Sequence, residues 1–423
     1  MTFFFFYMRF WLFGLLALIP IPILLFSSHF PTWAPPAALA WLAVLFVAWG
    51  LTTKRWLSHT PADLILLVMI LLLPLGLWAS PDRQETLARS FALIADVALF
   101  YAIIAQSRSR YVRWLGWALL LAGIALTLAT IPGTRFMSQK LPLIHRDIYQ
   151  LLPSGLRLPG DKNGFNPNMT AGVLAPFLPV ALVLALRPQN LGQRMLALFT
   201  LALLALALLL TQSRGALLGV ALAIPVVTGL LIKPLRWVWW GAGLLTAAVM
   251  AVKGREALTL IFGANDIFGA NSLLGRTEIW SRALTMGNDF AFSGVGLGMY
   301  QSVGKVLYPV FVHATPAADI PHPHNIFLWS LAEMGYPGLI AFLAFYMILA
   351  VVLIRRYRLA EEDWARMLAA GLLGAWVVYL VHGLVDVPLY SPLSAIVLWG
   401  LFGAMMAVGV HGDDLQRRAR EAA

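Results

Sequence analysis

Two arginines and two histidines stand out as residues able to do chemistry beside long apolar segments. Arg214 occupies a very short turn between two apolar runs, and Arg276 begins the segment GRTEIWSRAL. His322 and His324 alternate with prolines in PHPHN, directly before another apolar run. Arginine keeps its charge and matches phosphate oxygens bidentately, and a histidine near neutrality accepts a proton from a hydroxyl. These types predict a site that holds an anion and activates a hydroxyl.

Each of these clusters also has a structural interpretation. Arg214 serves either as an interfacial anchor or as an anion ligand, and its place at a helix N-terminus favours the anion. Glu278 and Arg282 have i,i+4 spacing and are expected to pair, which leaves Arg276 as the freer cation. The two histidines fit a structural turn, a metal site, or acid–base chemistry and ligand contact. Zinc needs further ligands that no neighbouring pattern supplies, so no metal is predicted.

Further polar residues accompany these clusters as candidate supporting groups: Asn166, Asn168, Arg282, Asn325, Glu333, His382 and Asp386. Asn166 and Asn168 flank a proline at a helix start, where they cap the helix or hold sugar hydroxyls. Glu333 is expected to pack and hydrogen-bond inside its apolar run. His382 and Asp386, spaced i,i+4, pair locally or support the main site. The glycine-rich segment SGVGLGM resembles a phosphate cradle only weakly, since no strand or P-loop lysine accompanies it.

The composition indicates a chain surrounded by lipid. Hydrophobic residues make up 60% and charged residues 12%, about half the charge of a soluble domain. Runs of roughly 20 apolar residues match a hydrocarbon core of about 30 Å, and lipid allows only helices or closed barrels. The runs are unbroken rather than alternating, so the predicted fold class is an all-α polytopic membrane protein. Cysteine is absent, which excludes disulfides and a cysteine nucleophile.

About twelve membrane-spanning helices are predicted as a single integral membrane domain over 1–423. The expected spans are 10–27, 35–51, 62–79, 89–106, 112–131, 169–187, 195–211, 215–232, 237–252, 324–353, 367–386 and 391–409. The first is expected to be retained, because no small-residue cleavage site follows it. Two long connections remain, 132–168 and 253–323; in the second, 265–275 is turn-rich and 276–284 is expected to be helical.

Lysine and arginine in the short loops predict the orientation. They concentrate on one side, at 54–55, 108–113, 187–194, 233–236, 355–366 and 417–420. Short loops on the other side hold only Arg83, Arg89 and Arg214. Both termini are therefore expected in the cytoplasm, with both long connections and every polar cluster on the outer face. The net charge of +11 is explained by these loops, so nucleic acid is not an expected partner.

An outer-face site that handles an anion lacks ATP, so synthesis there needs an activated substrate. A lipid-linked diphosphate supplies both the membrane location and a good leaving group. The residues therefore indicate glycosyl transfer from a polyprenyl diphosphate donor.

Five segments, in this order, resemble the O-antigen ligase/polymerase superfamily: NPNMTAG, SRGALL, GRTEIW, SGVGLG and HPHNIFLWSLAEMGYPGL. The resemblance covers roughly 160–340, and its most specific part is the His-x-His-Asn segment. It implies a fold like that of GT-C glycosyltransferases, with a large helical periplasmic loop, and a metal-independent, inverting enzyme of the bacterial inner membrane without a cofactor. Arg214, with Leu218 completing Arg-x-x-x-Leu, and Arg276 would bind the donor diphosphate. His322 or His324 would activate or position the acceptor hydroxyl.

The leading interpretation is an O-antigen ligase, which joins an undecaprenyl-diphosphate-linked glycan to a lipid A–core sugar. A polymerase of the same lipid-linked glycan, or a protein O-oligosaccharyltransferase, would share the site; the short stretch after the last span disfavours the latter. A membrane transporter is the alternative from another class. Transporters usually carry inverted repeats and midplane polar residues, whereas here no repeat is found and the polar residues gather at one face.

Overall fold

The computed structural model describes residues 16, 19–25, 27–53, 59–106, 112–136, 148–149, 164–187, 190–262, 270–309 and 320–422, with the backbone alone at 25, 28, 53, 106, 112–113, 250, 254–262, 270–275 and 411–422. Within these ranges the chain forms fifteen α-helices and no strand. The helices are α1 (Ile21–Leu25), α2 (Ala34–Thr53), α3 (Asp63–Ala79), α4 (Arg83–Gln106), α5 (Val112–Thr130), α6 (Pro167–Leu174), α7 (Phe177–Leu186), α8 (Leu191–Thr211), α9 (Arg214–Leu231), α10 (Lys233–Phe262), α11 (Ala270–Asp289), α12 (Tyr300–Leu307), α13 (Ile326–Leu359), α14 (Asp363–Gly383) and α15 (Pro392–Ala422).

The predicted all-α membrane fold is confirmed. Ten helical segments of the described chain are long and apolar enough to cross a membrane, and α3 is a shorter apolar helix. Eleven of the twelve predicted spans coincide with these segments; the other, 10–27, lies largely outside the described residues. The helix α11 already begins at Ala270, so 270–275 is helical rather than a turn, while 265–269 lie outside the description.

Small residues allow the helices around the site to approach closely. Helix α9 packs along α14, and a Cβ added at Gly219 would lie only 2.9 Å from the Val378 carbonyl oxygen. A Cβ at Gly374 would lie 2.6 Å from the Cβ of Pro179 in α7. Lipid gives helices no hydrophobic reason to associate, so close backbone approach through small residues supplies the packing energy. These contacts join α7, α9 and α14 into one rigid group.

An aromatic cluster fills the core on the other side of α14. Phe345 and Tyr346 of α13, Tyr379 of α14, and Trp399 and Phe402 of α15 are all nearly or fully buried. Tyr379 and Phe402 meet edge to face with ring centroids 5.0 Å apart, and the Tyr346 and Tyr379 hydroxyls are 2.7 Å apart. Edge-to-face rings gain electrostatic energy beyond their buried area, and the paired hydroxyls satisfy each other. The cluster therefore holds α13, α14 and α15 in register.

A break within α13 provides hydrogen-bond partners for the glycine-rich loop that packs against it. Gly335 has φ 67°, and the backbone N–H of Tyr336 donates to Ala291 at 2.8 Å instead of bonding within the helix. The carbonyl oxygens of Ala332 and Glu333, freed by the break, accept hydrogen bonds from 295 and 296 of the glycine-rich loop. Backbone polar groups at this depth need such partners.

The glycines of this loop are explained by packing rather than by phosphate binding. Gly294, Gly296 and Gly298 all have positive φ. A Cβ at Gly294 would lie 2.2 Å from the backbone carbonyl carbon of Glu333, which no side chain tolerates. The Glu333 carboxylate accepts the Gly298 N–H at 2.8 Å and the Tyr300 N–H at 3.4 Å. The packed, hydrogen-bonding role expected for Glu333 is what the contacts show.

Candidate functional site

The PHPHN segment forms a tight turn that is fixed to the end of α14. Asn325 caps α13, since its Oδ1 accepts the N–H groups of Phe327 at 2.9 Å and Leu328 at 3.1 Å. Its Nδ2 donates to the carbonyl oxygen of Leu384 at 3.1 Å. His324 has φ 50°, a left-handed conformation that costs energy for a residue with a Cβ. The cap and the bond to Leu384 hold this turn in place.

Asp386 is the centre of the histidine cluster. Its Oδ1 lies 3.3 Å from His324 Nδ1 and 3.8 Å from His322 Nε2, and its Oδ2 lies 3.8 Å from His382 Nε2. Asp386, His322 and His382 are buried, whereas the His324 side chain is 29% exposed. The i,i+4 spacing predicted a local pair between His382 and Asp386. The structure shows this pair and gives the carboxylate two more histidine neighbours, both from the turn before α13.

The hydrogen bonds assign different protonation to the two turn histidines. The backbone N–H of His324 donates to His322 Nδ1 at 3.2 Å, so a neutral His322 carries its proton on Nε2. Burial lowers the pKa of His322 to about 4, against the opposing charge of Asp386. Burial alone would raise the pKa of Asp386, but the hydrogen bond from His324 and the neighbouring histidines hold it well below its usual range. Asp386 is therefore ionised, and His324 Nδ1 is the donor of the bond between them.

Helix termini converge on His382. A Cβ added at Gly172 of α6 would lie 3.0 Å from His382 Cε1, and one at Gly215 of α9 would lie 3.1 Å from His382 Cδ2. Only glycine lets α6 and α9 approach the imidazole this closely. The first turn of α9, which starts at Arg214, is thus in direct contact with the histidine cluster.

Arg214 and Arg276 bring two positive charges to this cluster. Burial and the nearby charge of Arg214 lower the pKa of Arg276, and Asp386 partly offsets them. Within the described part of the chain, neither arginine forms a hydrogen bond or an ion pair. Arg214 is the first residue of α9, where free N–H groups add to the positive potential. Two neighbouring cations, one of them at a helix N-terminus, create a positive potential that favours binding of an anion.

The histidine cluster also meets the spacing of a metal site. His322, His324 and Asp386 each offer a donor atom, and these atoms lie within 4.8 Å of one another. A metal would need a lone pair at His322 Nε2. The N–H of His324 occupies Nδ1, which puts the proton of a neutral His322 on Nε2. In this arrangement His322 Nε2 is a hydrogen-bond donor. A metal could bind there only if the hydrogen bonds of the cluster rearranged.

The remaining predicted residues have structural contacts close to the site. Asn166 caps α6, since its side chain accepts the Asn168 N–H at 2.8 Å. The Asn168 side chain is half-buried next to this cap. Arg282 is buried and lies against α12, where a Cβ added at Gly304 would lie 2.9 Å from its Nη1.

Two residues that the sequence did not single out support His322. The Tyr390 ring packs against the His322 ring with centroids 4.8 Å apart. The Arg89 guanidinium lies 5.3 Å from the centroid of the Tyr390 ring and donates to the Tyr390 carbonyl oxygen at 3.0 Å. In the sequence, Arg89 is notable only as an arginine on the side of the short loops that is poor in positive charge.

The model of the family described as O-Antigen ligase matches residues 199–343. This segment contains Arg214, Arg276, His322 and His324, whereas Asp386 lies beyond it. No curated protein matches the chain. Residues 199–343 are therefore similar to a family of glycosyltransferase-like enzymes, and the ten apolar helices long enough to span a membrane agree with a polytopic membrane protein of this kind.

Proposed function

We propose that this protein is an O-antigen ligase, which transfers a glycan from undecaprenyl diphosphate to a sugar hydroxyl of the lipid A–core. The observation that carries the proposal is that two cations flank the Asp386-centred histidine cluster: Gly215, next to Arg214, packs against His382, and the charge of Arg276 interacts with that of Asp386. The two arginines suit the diphosphate of a lipid-linked donor, and the cluster of histidines around Asp386 suits the acceptor hydroxyl.

His324 is the proposed base. Its Nδ1–H donates to Asp386, which leaves the Nε2 lone pair available, and this nitrogen has no partner among the described residues. His322 is less suited, because its Nδ1 accepts a backbone N–H and its Nε2 carries the proton. A carboxylate that orients a histidine and stabilises its protonated form is a general arrangement for activating a hydroxyl.

The proposed reaction is a direct displacement. The acceptor hydroxyl oxygen attacks the anomeric carbon of the donor sugar as its proton passes to His324 Nε2. The bond from that carbon to the diphosphate oxygen breaks, and undecaprenyl diphosphate leaves with the electron pair. Arg214 and Arg276 stabilise the charge that grows on the leaving group. Displacement inverts the anomeric carbon, so His324 and the arginines must act on opposite faces of the sugar.

The proposal includes a location and an orientation. The bias of lysine and arginine among the short loops supports cytoplasmic termini in a bacterial inner membrane. The connections 132–168 and 253–323 would then be periplasmic, and the site would face the compartment in which lipid-linked glycans meet the lipid A–core.

A ligase-null strain with a matched core tests the function. Expression of this chain should convert rough lipopolysaccharide into smooth, scored by the capped ladder on gels. Arg276→Ala and His324→Ala should abolish the conversion at equal protein levels. Arg194→Ala and His59→Ala are matched controls, since both residues are exposed and lie outside the site, and they should convert normally.

Conversion that survives Arg276→Ala and His324→Ala would contradict the site. Absence of conversion by the wild-type chain would contradict the ligase assignment. If the chain then restored long glycans on undecaprenyl diphosphate in a polymerase-null strain, the acceptor would be a second lipid-linked glycan.

A further inference from the structure

Two strained residues flank the candidate site, and the proposed function uses only one of them. Among the described residues, Gln212 and His324 are the non-glycine residues with positive φ, and both have φ 50°. Each lies two residues before a site helix begins, α9 at Arg214 and α13 at Ile326. Such strain persists only where surrounding contacts enforce it, and it gathers at functional sites. The contacts that hold Gln212 in this conformation therefore point to a role for it in the site.

Gln212 is completely buried and is held by a tyrosine from the first long connection. Its Nε2 donates to the Tyr149 hydroxyl at 2.6 Å, and that hydroxyl donates to the carbonyl oxygen of Leu210 at 3.0 Å. The Tyr149 ring lies against Phe136, with centroids 5.8 Å apart. These contacts, called here the Tyr149–Gln212 clasp, tie the connection to the turn that leads into Arg214.

Hydrogen bonds from two backbone N–H groups also fix the turn that contains Gln212. The Gln212 N–H donates to the Leu209 carbonyl oxygen at 3.0 Å, and the Ser213 N–H donates to Thr211 Oγ1 at 3.3 Å. The Ser213 side chain makes no capping bond to α9. The start of α9 is thus set by the turn before it rather than by an N-cap side chain.

The arginines supply a reason for this rigidity. Arg214 and Arg276 repel each other, as the effect of Arg214 on the pKa of Arg276 indicates. This repulsion opposes the placement of Arg214 near Arg276. If the turn already holds Arg214 in position, the binding of an anion does not have to include the free-energy cost of ordering this side chain.

We propose that Tyr149 and Gln212 are positioning residues, which hold the Arg214 guanidinium ready for the diphosphate of the donor. This proposal rests on the proposed function in one respect, the role of Arg214 as a diphosphate ligand. It adds that the first long connection contributes to donor affinity through the clasp.

The test measures the Kd of inorganic diphosphate on the purified full-length protein in detergent by calorimetry. Tyr149→Phe removes only the hydroxyl and keeps the ring against Phe136. Loss of the two hydrogen bonds of this hydroxyl, to Gln212 and Leu210, should raise the Kd about five-fold. Tyr308→Phe is the matched control: it removes a hydroxyl that bonds Asp289 at 2.6 Å, away from the arginines, and should leave the Kd unchanged.

A second variant separates positioning from folding. Gln212→Asn keeps a residue type that tolerates positive φ but shortens the amide by one methylene, so the bond to Tyr149 is lost while the turn is kept. It should raise the Kd as Tyr149→Phe does, with the thermal midpoint of the wild type. An unchanged Kd in both variants would overturn the proposal.

A double-mutant cycle identifies Arg214 as the residue through which the clasp acts. Arg214→Ala alone should raise the Kd about 10- to 100-fold, as expected for a charge-assisted contact. In that background Tyr149→Phe should have no further effect, whereas additive effects would refute action through Arg214. If Arg214→Ala itself leaves the Kd unchanged, the donor site of the proposed function fails. If Arg214→Ala weakens binding and Tyr149→Phe does not, the clasp alone fails.

Discussion

Replacing Asp386 with asparagine removes one negative charge and little else. The Oδ1 atom of Asp386 also accepts the Val387 N–H at 2.8 Å, a bond that the asparagine oxygen retains. The bond to His324 changes, because a neutral amide neither stabilises the protonated imidazole nor selects the tautomer with its proton on Nδ1. The expected result is a folded protein with a defective base.

The magnitude follows from the distance. Charges 3.3 Å apart, as His324 Nδ1 and Asp386 Oδ1 would be in the transition state, attract by roughly 5 kcal/mol at an effective dielectric constant of about 20. The His324 side chain is 29% exposed, so solvent screens part of this. About 4 kcal/mol of lost transition-state stabilisation corresponds to a kcat roughly a thousandfold lower, within the range known for general base catalysis.

The assay is ligation by purified protein, with kcat measured at saturating donor and acceptor. Asp63→Asn is the matched control, because Asp63 also bonds several side chains but lies at the start of α3. The Kd for inorganic diphosphate should not rise in Asp386→Asn, since Arg214 and Arg276 are retained and a negative charge near Arg276 is removed. A folded Asp386→Asn protein whose kcat is within tenfold of the wild type would refute the His324–Asp386 mechanism.

Further expectations concern acid stability, the glycine loop and metals. Burial lowers the pKa of His322 to about 4, so between about pH 6.5 and 4 the unfolded chain binds the extra proton. The free energy of unfolding should therefore fall by roughly 3 kcal/mol as the pH falls through this window. The thermal midpoint of His322→Asn should not show this part of the pH dependence. Gly294→Ala should destabilise the protein by about 3 kcal/mol, because its Cβ meets the Glu333 backbone, while Gly241→Ala, with open space around its Cβ, should be neutral or slightly stabilising in the same melting assay. Chelation by EDTA should leave kcat unchanged; a loss restored by Zn²⁺ would contradict the assignment of His322 Nε2 as a hydrogen-bond donor.

The positions of the helices could be read from the sequence, because lipid imposes a simple condition. A segment that crosses a bilayer must be apolar over about 20 residues and must satisfy its own backbone hydrogen bonds. Eleven predicted spans therefore coincide with the apolar helices described in the structure. The clusters around Arg214, Arg276 and His324 could be recognised for the same reason, because charged and polar groups next to lipid are costly and mark functional sites.

Local spacing was less informative where a residue had several possible partners. The i,i+4 pattern paired His382 with Asp386, but the pattern could not indicate that His322 and His324 share the same carboxylate. The glycine-rich loop weakly resembles a phosphate cradle in sequence, but in the structure Gly294 packs against the broken α13, and Gly296 and Gly298 pack against the region of α3 and α4. Both outcomes depend on residues far apart in the chain.

The sequence by itself determined the membrane-embedded helical fold and the residue types available for chemistry, because hydropathy and side-chain charge are properties of each segment alone. Only the tertiary structure decided which nitrogen of His324 is available and which carboxylate orients it. It also decided that Tyr149 holds the turn before Arg214. These assignments rest on hydrogen bonds 3.3 Å long or shorter between distant segments, and such distances exist only after the helices have packed.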